Sequence, residues 1–158
     1  MAATSRQRVK GRKSNGSFCA LPHSIFRARS DGGPPVAVLS ARARALLVDL
    51  AMQYNGKNNG NLSAAPAVMA SYGWTSQGTL ADTIAELVAH GFLLQTRQGG
   101  RNQCSLFALT WVGIDDGPHD AQPDPVPSRL WEEGRTDMRD ATFRRRWQNI
   151  RERRRGRS

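Results

Sequence analysis

Very little in this chain could hold a metal ion or a redox centre. Only two cysteines occur, Cys19 and Cys104, far apart and not in a CxxC pair. Such thiols are expected to stay reduced, because disulfides are rare in a reducing cytosol. His23, His90 and His119 are scattered without ligand spacing, so no metal and no cofactor is expected. No apolar run approaches the roughly 20 residues that a membrane span needs. The basic start lacks the apolar stretch of a secretory signal, so a cytoplasmic protein without a membrane partner is expected. Catalytic patterns are missing as well. There is no Ser/His/Asp order, no paired-carboxylate motif and no phosphate-binding glycine loop, so an enzyme is not expected. A hairpin turn explains Gly99-Gly100, which is too short for such a loop.

What the chain has is positive charge, at its ends. The net charge is +10 over 158 residues. Residues 1–30 hold seven Lys/Arg and no Asp/Glu, and residues 141–158 hold eight against one. Residues 31–112 are nearly neutral, with five against four, and residues 113–140 are acidic, with three against eight. Such an excess points to a polyanionic partner, nucleic acid first.

The apolar pattern divides the chain into five parts. Residues 1–17 are polar, basic and aperiodic, and are expected to be a disordered tail. Residues 18–35 read as an extended arm that packs onto the core, since Leu21-Pro22 breaks any helix. Residues 36–112 hold the expected domain. Ala43, Leu46, Leu47, Leu50, Ala51 and Tyr54 form the stripe of a first helix, capped by Ser40. Leu62 follows an Asn/Gly-rich turn, and Ser63 is expected to cap a second helix over about 64–72, stopped by Gly73. Leu80, Ile84 and Leu87 mark a third helix, capped by Ser76 and stopped by Gly91. Phe92–Leu94 and Leu106–Leu109 then flank a polar tip, which reads as a β-hairpin. Residues 113–137 read as an acidic, proline-rich linker. Residues 138–158 read as a basic amphipathic segment with Phe143, Trp147 and Ile150 on one stripe.

The order helix, Leu62 turn, helix, tight turn, helix, hairpin resembles the winged helix-turn-helix superfamily of bacterial DNA-binding proteins, including members from prophages and mobile elements. The residues that carry it are Asn59–Ser63, Tyr72–Ser76, Thr79-Leu80, Glu86–Phe92 and the hairpin to Thr110. The fold class expected is therefore α+β, mostly α with a small hairpin: a winged helix-turn-helix core with disordered basic tails. The resemblance implies double-stranded DNA as partner, with the third helix in the major groove and a role in transcription regulation or mobile-element replication.

In that reading Ser76, Gln77, Gly78, Thr79 and Thr83 face DNA from the third helix. Gln77 can pair bidentately with adenine, while Ser76 and Thr79 suit phosphates. Arg97, Arg101 and Asn102 would contact DNA from the wing. Lys57, Arg144, Arg145, Arg146, Arg153, Arg154 and Arg155 would supply non-specific phosphate affinity near the nucleoid. Asp82 and Glu86 also fall on the outward stripe of the third helix, where they would repel phosphate. Two alternatives stand beside DNA binding. One is a protein-interaction module whose Phe143, Trp147 and Ile150 dock into a partner groove, or join two copies as a homodimer. The other is RNA or nucleoid binding through the basic ends.

Overall fold

A computed structural model describes residues 17–30, 32–132 and 141–157. The expected disordered tail lies, apart from Ser17, outside the described residues, and so does 133–140. The described chain is α+β, with five α-helices and one three-stranded antiparallel sheet. In order these are α1 (His23–Phe26), α2 (Ala41–Ala51), β1 (Leu62–Ser63), α3 (Pro66–Met69), α4 (Gln77–Ala89), β2 (Leu93–Arg97), β3 (Leu106–Leu109) and α5 (Ala141–Arg155).

Local sequence sets the helix ends. Ser40 Oγ accepts from the Ala43 N–H and Ser76 Oγ from the Thr79 N–H, each at 3.2 Å, so both longer helices of the domain start on a side-chain cap. Gly91 closes α4 at φ 74°, with the Phe92 N–H reaching back to the Leu87 carbonyl at 3.0 Å. Gly73 does the same after α3 at φ 91°, and the Trp74 N–H bonds the Met69 carbonyl. The second helix is shorter than expected. Pro66 opens a single α turn that tightens to a 3₁₀ turn over Ala70–Tyr72. Ser63 does not cap it; its hydroxyl turns onto the Ala65 N–H two residues on, a local turn that competes with capping.

The sheet order is β1-β3-β2, with Leu62 opposite Phe107 and Leu93 opposite Leu109. A bulge lies between Gln95 and Arg97. Leu46, Leu47, Leu50 of α2 and Leu80, Leu87 of α4 close over one face of this sheet with Phe92, Phe107 and Leu109. Each such side chain contributes about 1.5–3 kcal/mol when fully removed from water.

Two segments depart from expectation. In the arm, Ile25 packs into the core as expected, but a helical turn forms at His23–Phe26, directly after Pro22, where proline is tolerated. The stretch read as a linker is held against the domain up to Glu132. Asp115 accepts from the Asn59 N–H at 2.8 Å, Ile114 pairs with Asp124, and the Arg129 N–H bonds the Thr110 carbonyl. Trp131 is buried, stacked on Phe92 with ring centroids 6.2 Å apart. The acidic and proline-rich composition hid this packing, because the anchoring groups are mostly backbone.

Candidate nucleic-acid interface

α4 is amphipathic, and its inward face builds the core. Its outward face carries Asp82 and Glu86 one turn apart, and α5 lies across them. Arg146 and Arg153 both donate to the Asp82 carboxylate, at 2.9 and 3.1 Å. Arg154 donates to Glu86 at 2.9 Å. Glu86 is buried, and its carboxylate also accepts from the Ser40 N–H at 2.7 Å and the Ser40 hydroxyl at 2.9 Å. One carboxylate thus joins the start of α2, the middle of α4 and the end of α5. A buried charge is tolerated only when paired and hydrogen-bonded like this.

The apolar stripe of α5 is used in the same contact. Phe143 meets Phe107 at 6.1 Å between ring centroids, and Ile150 is buried. Trp147 packs edge-on to His90, centroids 5.2 Å apart, with the Arg154 guanidinium 5.6 Å from its ring. Phe143, Trp147 and Ile150, expected to dock into a partner, are therefore occupied within the chain. The arginines that lie off this face are all exposed. Arg144, Arg151 and Arg155 follow one another by seven and four residues, so they form one ridge about 16 Å long. Arg145 is exposed beside them.

Burial depresses the pKa of His90 below the usual imidazole value; the Glu86 carboxylate opposes this and Arg154 adds to it. The unfolded chain then takes up this proton more readily than the folded one. Stability from this group is present above the ordinary value of about 6.5 and is lost as pH falls through the lower folded value. The fall in melting temperature between pH 7.5 and 5 should be smaller in His90→Gln than in the natural chain. An equal fall in both would remove His90 from the docking contact.

The other expected site residues are distributed unevenly. Ser76, Gln77 and Gly78 are exposed at the start of α4, and Thr79 is half-buried there. Thr83 is a correction: it is buried, and its hydroxyl donates to the Thr79 carbonyl at 2.7 Å, so it does not stand on the exposed face of α4 as expected. Glu86 is likewise turned away from solvent by α5 and α2. Arg97 is committed to the protein. Its guanidinium donates to the Cys104 carbonyl at 3.0 Å and the Pro118 carbonyl at 2.9 Å, clamping the hairpin to the acidic segment. Arg101 and Asn102 stay exposed at the tip, with Asn102 in the left-handed region at φ 63°. Lys57 is exposed in its turn, which is closed by Asn55 and Asn58 side chains. Arg146, Arg153 and Arg154 bind carboxylates rather than standing open as expected, because Asp82 and Glu86 offer nearer anions.

Sequence reasoning missed the docking of α5, although its signal was present: two carboxylates one turn apart on a helix, and a second helix with arginines flanking an apolar stripe. Among the described residues no helix is long and apolar enough to cross a membrane, and no three His, Cys, Asp or Glu side chains group as metal ligands. Compared with known proteins, the chain matches no family model and shows no significant similarity to a curated protein or a solved structure.

Proposed function

We propose that the protein binds double-stranded DNA through a composite surface: the first turn of α4, the hairpin tip, and the outer arginine ridge of α5. The order α2, β1, α3, α4, β2, β3 with sheet order β1-β3-β2 supports a winged helix-turn-helix body over 36–112. One observation carries the reading. The acidic residues that would repel DNA from α4 are neutralised by Arg146, Arg153 and Arg154, and the helix that neutralises them holds Arg144, Arg151 and Arg155 on its exposed side.

In this arrangement Gln77 and the wing tip discriminate between sites, and α5 supplies affinity. Phosphate contacts position the protein and carry no sequence information, whereas side chains at base edges do. Transcription regulation and mobile-element replication both need such a surface. The test is a titration of the full chain against a duplex and against single-stranded RNA of equal length. Duplex should win the competition. Gln77→Ala with Arg101→Ala should cost about 1–3 kcal/mol on the preferred duplex and much less on random sequence. Equal competition by RNA would transfer the function to RNA binding, and an unchanged preference in the double variant would remove α4 and the wing from recognition.

A further inference from the structure

Beside the α4–α5 contact runs a groove of about 440 Å³, walled by the start of α2, the outer face of α4 and the last turns of α5. Ser40, Arg42, Thr79, Asp82, Arg153 and Arg157 line it. With Arg154 and Glu86, also in its wall, the groove holds four guanidinium groups against two carboxylates. Both carboxylates are already engaged, Asp82 by Arg146 and Arg153, Glu86 by Arg154 and Ser40. The surplus is two positive charges facing an open recess. A second recess adjoins it and shares Arg42 and Thr79, and it runs on to Tyr72, Thr75 and Ser76 at the start of α4. Arg42 therefore stands where a track from the first turn of α4 meets the arginine-rich end of α5.

The geometry points to this groove as a phosphate-binding site, held by Arg42 and Arg157, with Thr79 as a hydroxyl donor. Such guanidinium pairs match phosphate because their N–H groups present in a planar fork. The proposal rests on the DNA-binding reading for the source of the phosphate, which is the backbone of the bound strand. Arg42 was not among the residues expected to bind. A free phosphate compound offers the same chemistry, so the test separates the two.

The full chain is titrated with a 20-base-pair duplex between 50 and 200 mM salt, as the natural chain, Arg42→Gln, Arg157→Gln, and Arg27→Gln as an exposed arginine outside the groove. Each groove variant should flatten the log–log salt slope by about 0.9 and weaken binding about eightfold at 0.1 M salt. Arg27→Gln should leave the slope unchanged. Slopes equal to the natural chain's in both groove variants overturn the backbone assignment. In a second arm pyrophosphate is titrated without DNA. Pyrophosphate binding by the natural chain that is lost in Arg42→Gln, together with unchanged salt slopes in both groove variants, assigns the groove to a free phosphate compound instead, and absence of any effect in both arms overturns the site. A natural chain that binds no duplex defeats the DNA-binding reading, while the pyrophosphate arm still decides the groove.

Discussion

Replacing Asn59 with alanine should lower the stability of the protein by about 3 kcal/mol, which for a chain of this size lowers the melting temperature by roughly 10 °C. Asn59 is fully buried. Its Oδ1 accepts from the Leu109 N–H at 2.7 Å, and its Nδ2 donates to the carbonyls of Leu109, Val112 and Gly113 at 2.9–3.1 Å. No other side chain in the described residues ties the α2–β1 turn to the end of β3 in this way. Alanine would leave a buried N–H and up to three carbonyls without partners, and an unmet buried group costs about 1–3 kcal/mol. Water can reach the half-buried carbonyls of Val112 and Gly113, which keeps the total below the sum. Thermal unfolding of Asn59→Ala beside Gln98→Ala, an exposed hairpin position, checks this. A loss under about 0.5 kcal/mol, the range of ordinary surface changes, would show that the network does not hold the turn.

Asn59 also marks where the sequence was readable and where it was not. An Asn-Gly pair after a helix announces a turn, and turn formation alone accounts for it. That one of its side chains is the buried junction between β3 and the acidic segment depends on groups 50 to 54 residues away, which local pattern cannot carry. The strongly periodic elements were legible for the opposite reason. Leu46, Leu47 and Leu50, and Leu80, Ile84 and Leu87, declare their helices because one face repeats every 3.6 residues. Ser40, Ser76, Gly73 and Gly91 declare the ends because capping and left-handed backbone are local chemistry. Trp131 was hidden by the proline-rich context around it.

The candidate site divides along the same line. Exposure of Ser76, Gln77 and the hairpin tip follows from their position relative to the core stripe. Thr83 sits at the margin of that stripe, and one turn of packing decided its side. Asp82 and Glu86 looked like an objection to DNA binding because only α4 was in view. Their partners lie 64 to 71 residues further on. Docking by α5 reverses the electrostatic sense of the α4 face, since it brings three arginines onto two carboxylates and carries further arginines outward.

The second large effect concerns that outward ridge. Arg144, Arg151 and Arg155 are exposed and do not line the α4–α5 groove, and α5 is docked through Phe143, Arg146, Trp147, Ile150, Arg153 and Arg154, so α5 should stay docked when the three are replaced with glutamine. Each phosphate contact contributes about 0.9 to the salt slope, so losing three should flatten it by about 2.7 and weaken duplex binding at 0.1 M salt on the order of 10²- to 10³-fold. The loss should be uniform across sequences, because such contacts do not read bases. Ile150 and Trp147 would still hold the helix in place, so the melting temperature should change by no more than a surface substitution allows.

The most direct measurement is therefore the salt dependence of duplex binding by the full chain, with and without Arg144→Gln, Arg151→Gln and Arg155→Gln. Steep salt dependence in the natural chain, flattened by about 2.7 in the triple variant at unchanged melting temperature, is the expected result. Duplex binding of equal strength and equal slope in both chains, or none in the natural chain, would contradict the proposal that the docked arginine helix makes this a DNA-binding surface.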